Sequence, residues 1–270
     1  MAGYNPDLYW GSLHSSGDDL RVVGYPTLPL AFNRALYANS ATAIRRGLRG
    51  AGLSAMGGSV LDIGSGTGFW IDFWRNEGAR EVAGADLVPE AVERLRTRFP
   101  GSDFANVDIG EAAPFPGRRF DLVSAMGVLL HIVDPERLRN ALAAMAEQLE
   151  PDGAIVLMEP LVVRRFSRRG REGEHNVVRT VAEWEAALAG TGLRIVHVAP
   201  AIYLLSDPVD AATRAGLAVR SLWWRAFART IAGRERLASV VVPPLAVLDR
   251  AFASASRVGP SSKCVILRRV

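Results

Sequence analysis

The segment Val60-Leu61-Asp62-Ile63-Gly64-Ser65-Gly66-Thr67-Gly68 constrains the fold of this chain more than any other. A short apolar run enters three glycines at alternate positions, and a helical pattern follows. That is a buried strand turning sharply into a helix. Glycine supplies the positive φ and the close backbone approach such a turn requires, and the helix start beyond it presents oriented N–H groups. A dinucleotide fingerprint places a third small residue at position 69. Phe69 stands there instead, which weighs against a nicotinamide-dependent oxidoreductase.

The alternation continues downstream. Strands are expected at 59–63, 81–85, 103–107, 120–125 and 154–159, with helices at 66–78, 89–99 and 135–149. Short links between them predict a parallel sheet covered on both faces, with ligands beyond the carboxyl ends of the strands. Asp86 ends the second strand, where a carboxylate can accept from both hydroxyls of a ribose. Asp108 follows the third, where it can receive an adenine amino group while Ile109 covers the ring. Upstream, 30–53 has helical periodicity, and 1–30 shows no clean period and reads as an irregular arm. Downstream, a helix is expected at 181–189 with Thr180 as its cap, then a strand at 193–198, a long helical stretch at about 209–256 and a final strand at 263–268.

Taken together, these motifs resemble class I S-adenosylmethionine (SAM)-dependent methyltransferases. Val60–Gly68 looks like their first motif, Asp86 within Ala-Gly-Ala-Asp-Leu like the acidic residue after the second strand, and Asp108-Ile109 like the adenine-contacting pair. Phe120–His131 resembles the fourth-strand motif and Leu149–Gly153 the loop before the fifth strand. The resemblance covers roughly 59–159, and the family tolerates a large residue at position 69. It implies an α/β, Rossmann-like seven-stranded sheet with helices on both faces and an antiparallel last strand. It also implies SAM as cofactor, held by Asp62, Gly64, Ser65, Gly66, Asp86, Leu87, Asp108, Ile109 and Met126.

On this reading a single domain, 1–270, divides into an N-terminal helical arm (1–55), a SAM-binding core (56–160), substrate-side elements (161–200), a late helical insert or lid (201–260) and the last strand (261–270). His131 follows the fourth strand and is the candidate base; the competing reading is a contact to cofactor or backbone. Tyr9, Trp10, Tyr25, Tyr37, His175 and Arg179 are candidates for the acceptor site, with Asn33 beside them. The stripe Val219, Leu222, Trp223, Ala226, Phe227 and Ile231 is expected mainly to pack on the core, with one of Trp223 and Trp224 left to meet a ligand. The run Arg164–Arg171 reads as a solvated loop.

The expected function is methyl transfer to oxygen or nitrogen of a small molecule, in a setting of specialised metabolism. The alternatives are a SAM-binding protein that does not methylate, and an enzyme for a lipid-like acceptor at a membrane surface. Lys and Arg number 32 against 28 Asp and Glu, too small an excess to indicate nucleic acid. The four histidines are scattered without metal-ligand spacing. Cys264 is the only cysteine, which with the absence of a leader pattern suits the cytoplasm. No apolar run is expected to span a bilayer, the longest being interrupted by Pro243-Pro244. Nothing in the sequence sets an oligomeric state.

Overall fold

The computed structural model describes residues 5–167 and 175–270. Among these, seven strands form the path of the main sheet: β1 (Ser59–Ile63), β2 (Glu81–Asp86), β3 (Phe104–Asn106), β4 (Phe120–Met126), β5 (Leu149–Val162), β6 (Leu193–Pro200) and β7 (Ser262–Arg269), and the short strand Arg179–Thr180 pairs with the end of β5 off this path. Their order is β3-β2-β1-β4-β5-β7-β6. The pairs β2–β3, β1–β2, β1–β4 and β4–β5 are parallel, and β7 lies antiparallel to both neighbours. The sheet therefore has the expected form. The order reverses between β1 and β4, which opens a crevice at their carboxyl ends.

Helices α3 (Leu30–Gly50), α4 (Phe69–Asn76) and α9 (Glu235–Ala255) cover one face; α6 (Pro135–Glu147) and α7 (Val181–Leu188) cover the other. Helix α5 (Pro89–Arg98) packs beside α4 on the first face. Two apolar clusters result. Phe32, Ile44 and Trp74 anchor the first, and Leu138, Leu142 and Met145 the second, all essentially inaccessible to solvent. Each such side chain contributes about 1.5–3 kcal/mol by leaving water.

Three expectations are corrected. Residues 5–30 are not an irregular arm throughout. Helix α1 (Pro6–Ser16) is started by Asn5, whose side chain accepts from the Leu8 N–H at 3.0 Å, and by Pro6 in its first turn; a short helix α2 (Leu20–Val23) follows. Tyr4 lies outside the described residues. The late helical stretch consists of two helices, α8 (Arg214–Ile231) and α9, separated at Gly233, where φ is +67°.

Pro243 and Pro244 do not interrupt α9. Both are exposed, so the carbonyls they leave without donors, at Ser239 and Val240, lie on a water-facing side. Helix α9 is consequently long and apolar enough, by length and composition, to cross a membrane, contrary to the expectation from the sequence.

The segment from Arg164 is also more structured than a solvated loop. Arg164 donates to the carbonyl of Val258, and Phe166–Ser167 pairs with Asp210–Ala211. Residues 168–171 of that run lie outside the described residues.

Candidate functional site

At the carboxyl ends of β1, β2 and β4 lies a cavity of about 290 Å³. Its floor is the glycine loop. Gly64, Gly66 and Gly68 have φ of +68°, +51° and +82°. A Cβ on Gly64 would fall 2.5 Å from Val128 Cγ2, and one on Gly66 would fall 2.7 Å from Val23 Cγ1. Conformation and space thus both require glycine.

Asp86 fixes this loop from the side. Its Oδ2 accepts the Gly66 N–H at 2.7 Å and its Oδ1 accepts the Val88 N–H at 2.9 Å. Burial raises its pKa, and those backbone donors pull it back. The carboxylate still borders the cavity, and each oxygen has a second lone pair for a further donor.

Leu87, Val107 and Ile109 form apolar wall beyond it. Asp108 also borders the cavity. Its Oδ1 accepts the Gly110 N–H at 2.8 Å, and its Oδ2 pairs with Arg137 of α6. Arg137 is a wall residue that sequence reasoning missed.

Asp62 is placed differently from expectation. It lies behind the glycine loop, fully buried, and is not a wall residue. Ser124 Oγ donates to its Oδ1 at 2.7 Å, and Oδ2 has no hydrogen-bond partner among the described residues. Burial pushes its carboxyl up to about 7. Ser65 and Met126 do line the cavity.

Helix α1 lies across the opening and contributes Pro6, Trp10 and His14 to the wall. His14 is buried, and Arg94 Nη2 sits 2.8 Å from its Nδ1. Arginine can only donate, so Nδ1 accepts and the ring proton resides on Nε2. Burial lowers the His14 pKa, opposed by the negative charge of Asp86. This pairing leaves no local signature, since His14 and Arg94 are 80 positions apart.

Four aromatic side chains, Tyr37, Phe69, Trp70 and His131, also line the wall, beside aliphatic residues such as Val128, Ile132 and Val133. Tyr37 meets Phe69 edge-on at 5.0 Å, and its hydroxyl donates to the Val23 carbonyl at 2.9 Å, tying α3 to α2. His131 Nδ1 lies 2.7 Å from the His175 carbonyl. A carbonyl only accepts, so Nδ1 carries the proton and Nε2 remains the acceptor. Trp10 packs edge-on against His131 at 4.8 Å, and His175 stacks parallel to it at 5.7 Å. Tyr9 stacks on His175 in turn. His131 and His175, read as scattered, are therefore neighbours. Burial depresses the His131 pKa to about 4.

Four candidates are corrected. Tyr9 and His175 are not among the described wall residues and pack instead on Trp10, His131 and each other. Tyr25 is not a wall residue either. It packs against Phe32 and Trp224, and its backbone is clasped by the buried Asn33 side chain. Arg179 is buried, and its guanidinium donates to the carbonyls of Leu129 (3.0 Å) and Ile132 (2.5 Å). Glu159, buried opposite, accepts the Leu129 N–H at 2.9 Å. Its carboxyl is pushed up to about 8, chiefly by burial. Together they clamp the turn that carries His131. Arg179→Met is expected to lower unfolding free energy by about 2–3 kcal/mol, since it removes hydrogen bonds from a buried charged donor to two backbone carbonyls. Chemical denaturation measures this, and a loss below about 0.5 kcal/mol would contradict the clamp.

The late insert is likewise not on this cavity: no residue of α8 or α9 lines it. Trp224, Phe227 and Ile231 are buried, whereas Val219, Leu222 and Trp223 are exposed. The expected core-packing stripe thus divides. Trp223 keeps partners of its own, the Leu204 carbonyl at 3.3 Å and the Phe227 ring.

Comparison with known proteins places this geometry in context. A family model described as a methyltransferase domain matches residues 36–198. A tRNA U34 carboxymethyltransferase from Pseudoalteromonas translucida is 34% identical over 125 residues, which is 45% of this chain but only 35% of that protein. A dTDP-3-amino-3,4,6-trideoxy-α-D-glucopyranose N,N-dimethyltransferase from Streptomyces venezuelae is 29% identical over 188 residues, covering 61% of this chain and 77% of that one. Among solved structures, an S-adenosylmethionine-dependent methyltransferase from Listeria monocytogenes, described as putative, aligns with a TM-score of 0.52 at 14% identity. The alignment covers 87% of this chain and 99% of that one, and it shows a common fold.

Proposed function

Because the chain belongs to the class I SAM-dependent methyltransferases, we propose that it transfers a methyl group to an oxygen or nitrogen of a small-molecule acceptor. One observation carries this reading. A single cavity is bounded both by the glycine loop with Asp86 and Asp108 and by the aromatic group Trp10, Tyr37, Phe69 and His131.

The residues present fit the cofactor. The glycine loop is a cradle that a Cβ would fill. Asp86 is a buried carboxylate with lone pairs for ribose hydroxyls. Leu87 and Ile109 are apolar surfaces for the adenine, whose amino group has Asp108 as acceptor. Bound SAM supplies a methyl group on a sulfonium, already activated for in-line displacement. The protein's share is therefore mainly positioning and exclusion of water. Helix α1 and the Tyr37–Val23 bond perform that exclusion. A protonated acceptor also needs somewhere to lose a proton. His131, neutral and with Nε2 as acceptor, is the group we assign to it.

The name of the Streptomyces relative, an aminosugar nucleotide methyltransferase, supports a small acceptor. So does a cavity enclosed by α1 and aromatic side chains. Specialised metabolism as its setting, and a cytoplasmic location, are part of the same proposal.

The test has two stages. Calorimetry is expected to show S-adenosylhomocysteine binding at one site, and a lack of heat under several conditions would overturn the cofactor site. Incubation with SAM and a panel of hydroxyl and amine acceptors is expected to yield acceptor-dependent S-adenosylhomocysteine. Tight binding without turnover on any acceptor would instead favour a protein that keeps SAM without methylating.

A further inference from the structure

The outward face of the α8–α9 hairpin has no role in the cavity, and its chemistry is unusual. Along α9, from Leu237 to Phe252, every exposed residue except Ser239 is apolar, and none is charged. At 1.5 Å per residue this is a strip about 22 Å long. Val240 is 71% exposed, Val247 55% and Leu248 52%. The strip continues onto α8 through an aromatic bridge. Phe252 stacks on Tyr203 at 5.4 Å, and Trp223 bonds to the neighbouring residue, Leu204. Beyond it stand Val219, 67% exposed, and Leu222. Contiguous exposed apolar surface of this extent marks an interaction site.

The charges around the strip indicate what covers it. Arg225 and Arg229 border it on α8, and Arg234 and Arg236 stand at its hairpin end, all exposed. The hairpin helices contain two carboxylates, and both accept backbone hydrogen bonds. Glu235 accepts the Leu30 and Ala31 N–H groups at 2.9 and 2.8 Å, holding the start of α3. Asp249 is buried and accepts from Tyr203, Leu204, Leu205 and Asn39. Among the described residues none of the four arginines forms an ion pair with a carboxylate. The surface is thus apolar with positive charge predominating at its border, four exposed arginines against the one exposed carboxylate of Glu235. A two-fold contact with a second copy would set these arginines in the same interface, where like charges oppose association.

We propose that the α8–α9 face docks on an anionic lipid surface, with α9 lying in the interface plane and the arginines at the headgroups. An amphipathic pair of this kind gains from burying apolar side chains in the acyl boundary and from attraction to anionic lipid. This inference is independent of methyl transfer and concerns a face that does not line the cavity.

Flotation with vesicles tests it, comparing phosphatidylcholine alone with an equimolar mixture of phosphatidylcholine and phosphatidylglycerol at low salt. The full chain is expected to float with the mixture and far less with phosphatidylcholine. Val240→Glu with Leu248→Glu is expected to reduce binding at least about tenfold. Both positions are solvent-exposed, and circular dichroism and S-adenosylhomocysteine affinity verify that the fold is intact. Arg229→Gln and Arg236→Gln are expected to reduce binding by about fivefold each. Absence of association with the anionic vesicles would overturn the proposal, as would association untouched by the double glutamate variant. A dimer in light scattering that the same variant dissolves, without vesicle binding, would overturn it in favour of a self-interface.

Discussion

Asp86→Ala is expected to weaken S-adenosylhomocysteine binding by about 2–4 kcal/mol, roughly 30- to 1,000-fold in Kd, as read by calorimetry. The size follows from the double duty of this carboxylate. It accepts the Gly66 and Val88 N–H groups, so its loss releases a turn held at positive φ. It also removes the acceptor proposed for the ribose hydroxyls, and bonds to a charged acceptor contribute about 1.5–3 kcal/mol each. Asp86→Asn retains one acceptor oxygen and is expected to lose less. The pH dependence has a definite sign. Burial raises the Asp86 pKa, so affinity is expected to begin falling with acidification above the ordinary aspartate range. Unchanged affinity in a folded Asp86→Ala protein would remove Asp86 from the cofactor site.

Asp86 was legible in the sequence because a strand end followed by a turn leaves a local signature, and its distance from the glycine loop agrees with two adjacent parallel strands. Gly64 and Gly66 were legible for a related reason, since positive φ restricts the residue type at the position itself. The cover of the cavity was not. Helix α1 turns Trp10 and His14 toward a cavity rather than an apolar core, so it shows no 3.6-residue apolar period. His14 is matched with Asp86 and Arg94 only by folding. Arg137 looked like an ordinary solvated residue on α6, because its partner Asp108 is 29 positions away. Tyr25 and Arg179 misled through their chemistry. Both have polar ends suited to a ligand, and both spend them on the fold, Tyr25 toward Ser206 and Arg179 on two backbone carbonyls. The Pro243-Pro244 pair misled through a local rule. An interior helical proline is costly where the released carbonyl is buried, and here the carbonyls face outward.

His131→Ala is expected to lower kcat by about 100-fold at saturating SAM while leaving S-adenosylhomocysteine affinity within about twofold, the pattern of a lost proton acceptor. The His175 carbonyl fixes the ring proton on Nδ1, and the Arg179–Glu159 clamp holds the turn beneath it. Nε2 is therefore presented as acceptor by two backbone-anchored constraints rather than by a neighbouring carboxylate. With its pKa depressed to about 4, the imidazole is neutral throughout the physiological range. The kcat/KM profile of the free enzyme should accordingly be flat on its acid side down to about pH 5 and fall below it. A base with that pKa holds a proton weakly, so it suits transfer concerted with methyl displacement and prompt release to solvent. A structural role would also lower the rate, and added imidazole separates the two. Partial recovery of turnover in His131→Ala by exogenous imidazole is expected for a missing base, whereas a displaced turn would not respond. Undiminished kcat in His131→Ala would leave the acceptor to lose its proton elsewhere, and the ring would then serve as aromatic wall beside Trp10.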